Sequence, residues 1–184
     1  MKKLFYFLMI CWSFSYSQRT DFTREDITFR LDGRSMDTEG YYWFLNTTNT
    51  VITSDIFYPF PSFAGETIDS IRLMNISAGQ KIRYNRDGNT GITFKFLLMP
   101  HDTILLQIGY RQGLCADSAV YILQTTQQWN KPLQHAEYKL IIPDSLVIKK
   151  FSYLPQRSYK IQNEKIFYWE MNNFMPTRDM VFYY

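Results

Sequence analysis

The sequence is poor in cysteine and histidine, with two of each among its 184 residues. One cysteine, Cys11, lies in an N-terminal stretch that we expect to be removed, so Cys115 has no partner for a disulfide within the chain. Zinc sites need three or four ligands, and neither HExxH nor paired-cysteine spacing occurs. We therefore predict no metal and no cofactor. Cys115, flanked by Leu114 and Ala116, is predicted to be a small buried residue.

Motifs of common hydrolases are also lacking. No G-x-S-x-G sequence marks a serine nucleophile. A glycosidase needs two facing carboxylates, whereas Glu164 and Glu170 would lie roughly 20 Å apart along one strand. An enzyme is therefore the less favoured interpretation, and a hydrolase acting on envelope polysaccharide is kept as the alternative.

Apolar runs long enough to span a bilayer, about 20 residues, are absent. The run at residues 4–14 follows a Lys-Lys start and ends before Ser15 and Ser17, which stand at the −3 and −1 positions of a cleavage site. This three-part pattern is typical of a secretory signal peptide. We predict a signal peptide over residues 1–17, a mature domain over 18–184, no transmembrane span, and a secreted or periplasmic bacterial protein.

An excess of one charge is nearly absent from the predicted mature chain. The formal net charge is +3, and removal of the two N-terminal lysines leaves 18 − 17 = +1. The remaining cations are scattered, whereas phosphate backbones are bound by clustered lysines and arginines. Nucleic acid is therefore not a predicted partner.

What the sequence does contain is period-two alternation. Ile27, Phe29 and Leu31 fall on one face of a strand, as do Ile92 and Phe94, and no segment of helical length keeps a 3.6-residue apolar stripe. About ten short strands separated by polar turns predict a single all-β domain, an antiparallel β-sandwich, with a β-barrel as the alternative.

The stretch YNRDGNTG, residues 84–91, alternates Asn85, Asp87 and Asn89 as a calcium loop does. An EF-hand loop needs an acid at its twelfth position, which here is Phe96, and it needs flanking helices. Turn residues between two strand patterns predict a hairpin instead.

Aromatic residues make up 18% of the chain, and two clusters place rings at consecutive positions. These are YYWF, residues 41–44, and IFYPFPSF, residues 56–63. Neighbours on a strand point to opposite faces, so some rings in each cluster are expected to face solvent. Pro59 and Pro61 predict an edge or loop. The candidate binding residues are Tyr41, Trp43, Tyr58 and Phe60, with packing against a covering loop as the alternative.

The stretch YILQTTQQWNKPL, residues 121–133, combines an apolar half with a polar half. We predict a strand over Tyr121 to Thr125, a turn at Gln127 and Gln128, and a new strand after Pro132. Trp129 is then either a structural plug at the end of the sandwich or a ligand contact.

The C-terminal half contains a series of short motifs: Tyr110-Arg111-Gln112, Tyr121-Ile122-Leu123 with Thr125, Trp129, Pro132, Ala136-Glu137-Tyr138, Trp169, Asn173-Phe174-x-Pro176 and Asp179. In these motifs the sequence resembles a family of secreted bacterial proteins known only as a domain of unknown function. The resemblance implies an extracytoplasmic domain rich in sheet, with no activity to inherit. Together with the residues above, it predicts a non-catalytic binding or accessory module of the bacterial envelope or exported fraction. Such a module would recognise protein or glycan through exposed aromatic rings.

Overall fold

Fourteen β-strands and one 3-10 helix form the part of the chain that a computed structural model describes, residues 20–184. The strands are β1 (Thr20–Leu31), β2 (Ser35–Asn46), β3 (Ile52–Pro59), β4 (Thr67–Asn75), β5 (Gln80–Lys81), β6 (Tyr84–Asp87), β7 (Gly91–Leu98), β8 (Thr103–Gly113), β9 (Ser118–Tyr121), β10 (Leu133–Pro143), β11 (Lys150–Phe151), β12 (Arg157–Ile161), β13 (Glu164–Phe174) and β14 (Met180–Tyr183). The helix is Gln124–Trp129. The predicted signal peptide lies outside the described residues.

The strands form one large sheet and two small ones. The large sheet has the order β12-β13-β10-β1-β2-β8-β4-β5, and the small sheets are β11-β14-β9 and β3-β7-β6. Every pair is antiparallel except β1 with β10, which run parallel. The predicted all-β sandwich is confirmed, although it contains more strands than expected because short strands such as β5 and β11 carry no two-residue pattern. The large sheet is open, with β12 and β5 at its edges.

Period-two alternation decides which side of the large sheet faces the core. Along β2, every second residue from Met36 to Asn46 is buried, and the residues between them are partly exposed. The buried side packs against the small sheets: Phe44 contacts Phe96 of β7, with ring centroids 5.2 Å apart, and Phe29 contacts Phe182 of β14 at 5.4 Å. Burial of one such side chain contributes about 1.5–3 kcal/mol, so the two small sheets hold the core in place.

Two local predictions have different outcomes. The hairpin is confirmed, because β6 and β7 pair from Tyr84↔Phe94 to Asp87↔Gly91. The strand expected over Tyr121 to Thr125 is wrong, since β9 ends at Tyr121 and the 3-10 helix begins three residues later.

Cys115 is exposed, so its predicted burial is wrong. It follows the end of β8 in a loop, where its thiol donates to the carbonyl oxygen of Gly65 at 2.7 Å. Apolar neighbours in sequence do not bury a residue that lies outside the alternating strands.

None of the helices within residues 20–184 is long and apolar enough to cross a membrane.

Candidate binding face

The side of the large sheet that points away from the small sheets is called here the outer face. Its side chains on β1, β2, β10 and β13 are mostly partly exposed. A β-bulge between Phe22 and Arg24 shifts the register of β1, so Arg24 and Asp26 both point to this side. Charged and aromatic side chains from neighbouring strands meet there, and they form the candidate site.

Strand register sets which of these side chains touch. Arg24 lies between Trp43 on β2 and His135 on β10. Asp26, one step further along β1, lies between Tyr41 and Glu137 in the same way. Two rows of functional groups therefore cross β2, β1 and β10 side by side.

Arg24 is the centre of this arrangement. Its guanidinium lies over the Trp43 ring at 4.7 Å from the centroid. The same group donates from Nε to Oδ1 of Asp26 at 3.0 Å and from Nη2 to Oδ2 at 2.7 Å. Its Nη2 is also 3.8 Å from Oε1 of Glu137. The hydrogen bonds to Asp26 raise the pKa of Arg24, so the guanidinium stays charged.

His135 connects the two carboxylates to the next strand. Its Nδ1 is 2.9 Å from Oδ1 of Asn172 on β13, and its Nε2 is 3.0 Å from Oε1 of Glu137. Hydrogen bonds to Asn172 and then Glu137 raise the pKa of His135. The hydrogen bond with His135 is also the main cause that lowers the pKa of Glu137, with a smaller contribution from the Tyr168 hydroxyl.

The polar network extends beyond this centre in both directions. Toward β12, the guanidinium of Arg157 lies 4.7 Å from the ring centroid of Tyr168 and 3.1 Å from a carboxylate oxygen of Glu170. Toward β8, Gln107 donates to the Tyr41 hydroxyl at 3.3 Å. The outer face thus carries rings, arginines and acids across six adjacent strands.

Two of the four predicted binding residues, Tyr41 and Trp43, lie on the outer face. Tyr58 and Phe60 do not, because their rings are only 9% and 2% exposed. Their predicted exposure is wrong, since the backbone after β3 stays bonded to the hairpin loop: the Phe60 amide donates to the Thr90 carbonyl oxygen at 2.8 Å.

The exposed ring of the second cluster is Phe57, at 53%. It lies over Gly91, where an added Cβ would come within 2.6 Å of the ring. Gly91 therefore allows the ring to rest on the backbone of the neighbouring strand. Phe57 is on a small sheet, away from the outer face.

A group of hydroxyls and one carboxyl is buried beneath the outer face. The Tyr42 hydroxyl is 2.8 Å from that of Tyr58 and 3.0 Å from that of Tyr121. Glu25, only 2% exposed, accepts a hydrogen bond from the Tyr138 hydroxyl. Desolvation raises the pKa of Glu25 to about 7. Glu25 is the strongest departure from the apolar core, and it faces inward between two residues that face outward.

Sequence reasoning missed most of this site, although signals for part of it were present. The alternation of Ile27 and Phe29, continued backwards, places Glu25 on the buried side. His135 and Glu137 also alternate on a predicted strand. Nothing local, however, indicates that Asp26 lies beside Glu137, because that contact depends on the pairing of β1 with β10.

The pKa of Glu137 distinguishes this residue from the acid of a glycosidase. Ligand atoms of Asp26, His135 and Glu137 all lie within 4.8 Å of one another, so two carboxylates are close. A glycosidase acid, however, needs a raised pKa, and the pKa of Glu137 is lowered. What the arrangement offers is recognition through rings and fixed charges, or coordination of a cation.

The strands form an all-β, sandwich-like domain, and its large sheet carries a charged, aromatic face. No protein-family model matches the sequence, and no curated protein matches it. Among solved structures, the chain is similar to a protein of Legionella pneumophila described as a "putative nutrient binding protein", with a TM-score of 0.70 and 13% identity. The match covers 89% of this chain and 66% of that one.

The chain is also similar to an M1 zinc metallopeptidase of Deinococcus radiodurans. A mutant of that enzyme bound to a Tyr-Ser-Ala substrate matches with a TM-score of 0.56 and 11% identity, over 90% of this chain and 43% of that one. The enzyme without the mutation gives 0.55 and 11%. At these identities the likenesses show the fold alone. The chain spans less than half of the peptidase and 66% of the Legionella protein.

Proposed function

We propose that the chain is a non-catalytic binding module of the bacterial envelope or exported fraction, and that a protein partner docks on the outer face. The observation that carries this proposal is the stacking of Arg24 on Trp43, at 4.7 Å, beside the carboxylates of Asp26 on β1 and Glu137 on β10. Tryptophan, tyrosine and arginine are the side chains that contribute most at protein interfaces. Here all three types stand together, partly exposed and held in position.

A protein fits this face better than a glycan does. Sugars bind by stacking on bare ring faces, whereas guanidinium groups already cover the rings of Trp43 and Tyr168. Six strands spaced about 4.8 Å apart also make a surface roughly 24 Å wide, which is the scale of a protein interface. Alternating acids and arginines give such a surface a charge pattern that a complementary partner can match.

The lengths of the similar proteins are consistent with a domain that lies beside other domains. Both the Legionella protein and the Deinococcus peptidase are longer than this chain, so the shared fold is one part of each. Their descriptions name nutrient binding and a bound peptide substrate. A module that docks against another domain or subunit is consistent with both.

The experiment compares two single-ring variants, Trp43→Ala on the outer face and Phe57→Ala on the small sheet. The purified chain captures a partner from the envelope fraction of the source bacterium. That partner is then purified, and its affinity is measured for each variant after circular dichroism confirms folding. We expect Trp43→Ala to weaken binding by more than about tenfold, at least 1.4 kcal/mol, and Phe57→Ala to leave it unchanged. The reverse pattern overturns the proposal.

A glycan ligand is tested with the same variants on immobilised envelope polysaccharides. Binding of a polysaccharide that Trp43→Ala abolishes would replace the protein partner by a glycan.

The compartment is tested separately, by N-terminal sequencing of the protein isolated from its bacterium. We expect Gln18 as the first residue, and a retained Met1 in the envelope fraction would contradict export.

A further inference from the structure

We propose that Asp26, His135 and Glu137 form a binding site for a divalent transition-metal cation, with Zn²⁺ as the ion for the test. One imidazole nitrogen and two carboxylate oxygens lie within 4.8 Å of one another on the outer face. The site does not depend on the proposed protein partner. It shares Asp26 and Glu137 with the docking face, but its measurement, the affinity for Zn²⁺, is independent of any partner.

The strand register brings the ligands together without help from a loop. Asp26 and Glu137 are paired residues of the parallel strands β1 and β10, and His135 is two residues before Glu137 on the same side of β10. The Nε2 atom of His135 and Oε1 of Glu137 are already 3.0 Å apart. Bonds of about 2.0–2.2 Å at tetrahedral angles place ligand atoms roughly 3.4 Å apart, so small side-chain rotations are enough.

Each ligand on β10 has an outer partner that fixes its direction. Asn172 accepts a hydrogen bond from Nδ1 of His135 at 2.9 Å, which turns Nε2 toward the carboxylates. The hydroxyl of Tyr168 bonds to Glu137 on the side of β13. Metal-binding histidines almost always donate their second nitrogen in this way, and loss of such a partner weakens metal affinity about 10–100-fold.

The ligand types select the class of ion. An imidazole favours zinc and other first-row transition metals, whereas calcium and magnesium prefer oxygen ligands alone. Three protein ligands leave a position for water. The zinc of the Deinococcus peptidase does not bear on these residues, because a likeness at 11% identity shows the fold alone.

Arg24 opposes the cation and so gives the site a distinctive signature. Its guanidinium bonds to both oxygens of Asp26 and lies 3.8 Å from Glu137. A positive charge at this distance repels a divalent ion. Removing the guanidinium is expected to tighten Zn²⁺ binding by roughly tenfold, because the divalent ion then no longer meets a like charge beside two of its ligands.

The experiment is a calorimetric titration of Zn²⁺ into the purified, metal-free chain without an affinity tag. The two histidines of the sequence provide a matched pair of variants, His135→Ala and His101→Ala. His101 lies in the turn before β8, where its side chain bonds to Asn49, and it serves as the control. We expect one Zn²⁺ per chain, a loss of more than about 100-fold with His135→Ala, and no change with His101→Ala. Absence of stoichiometric binding, or equal binding by His135→Ala, overturns the site.

Two further variants separate coordination from general effects on the fold. Asn172→Ala is expected to weaken Zn²⁺ binding about 10–100-fold and to alter the visible absorption of bound Co²⁺, which a merely structural change leaves alone. Arg24→Ala is expected to tighten Zn²⁺ but to weaken the protein partner, because Trp43 loses its stacked cation. If Arg24→Ala weakens both ligands, the metal site is overturned; if it tightens Zn²⁺ without affecting the partner, only the docking face is overturned.

Discussion

Glu25 and Tyr138 are hydrogen-bonded to each other in the core, across the parallel pair of strands β1 and β10. Desolvation is the main cause that raises the pKa of Glu25, and no cation of the described residues contributes to the shift. The acid is therefore held as a neutral group below neutral pH. Its burial has consequences for stability that the outer face does not share.

The first prediction is that Glu25 contributes a decrease in the free energy of unfolding as pH rises, and that Glu25→Gln removes this contribution. The pKa of Glu25 is raised from 4.5 to about 7 on folding, so the folded state keeps the proton longer. Its contribution is fully present below pH 4.5, falls as pH rises through 7, and stays low above that. The loss is about 3 kcal/mol. Urea unfolding between pH 4.5 and about 8 measures it.

A matched control for this prediction is Glu164→Gln, which removes an exposed acid beside Arg30. It is expected to keep the wild-type pH dependence. His135, whose pKa is also raised, contributes equally to wild type and Glu25→Gln and cancels from their difference. Identical pH slopes for wild type and Glu25→Gln would show that the carboxyl is not buried.

The second prediction concerns two tryptophans, Trp169 in the middle of β13 and Trp129 at the end of the 3-10 helix. Trp169 is fully buried and donates from Nε1 to the Tyr153 carbonyl oxygen at 3.0 Å. Trp129 is only partly buried, against Phe22 and Phe44. We expect Trp169→Ala to lower the free energy of unfolding by about 3–5 kcal/mol and Trp129→Ala by clearly less. Chemical denaturation of both variants measures the difference.

A control for the ring itself is Trp169→Phe, which keeps aromatic packing and removes the Nε1 donor. It is expected to cost about 1–3 kcal/mol, the cost of one unsatisfied carbonyl. Equal losses for Trp169→Ala and Trp129→Ala would contradict the assigned burial.

The third prediction concerns Asp179, which is one of the motif residues of the family resemblance and contacts a second motif at Leu123. Its Oδ1 accepts the amides of Leu123 and Gln124, at 2.9 and 3.0 Å, where the 3-10 helix begins. Asp179→Ala leaves both amides without this partner, so we expect a loss of about 1–2 kcal/mol. Hydrogen exchange at Leu123 and Gln124 is expected to accelerate.

Asp179→Asn is the matched variant, because it retains a carbonyl oxygen in the same place. In this variant the backbone amides of Leu123 and Gln124 are expected to exchange at nearly the wild-type rate. If Asp179→Ala leaves exchange at these two amides unchanged, the capping role is wrong.

Much of the fold was predictable because alternation is a local property. Ile27, Phe29 and Leu31 are all buried, as their two-residue spacing predicts. The hairpin before Gly91 was predictable for the same reason, since turn residues separate two short strands. The parallel pairing of β1 and β10 was not, because the two strands are far apart in sequence and share no local signal.

The candidate site was less predictable than the fold. Proline at positions 59 and 61 indicates where a strand ends but does not determine which way Tyr58 and Phe60 point. Their rings turn inward and pack against Tyr110, while the hairpin loop holds the backbone. Trp43, by contrast, follows from the regular alternation of β2.

The position of β1 within the large sheet has a consequence for biosynthesis. It is the first described strand, yet it lies in the middle of the sheet, between β2 and β10. A nascent chain can form the hairpin of β1 and β2 early, but one edge of β1 stays unpaired until Leu133–Pro143 has been made. Premature termination before that point leaves one edge of β1 unpaired, and such an edge can pair with another chain. Residues up to about Pro143 must therefore be present before both edges of the first described strand are paired.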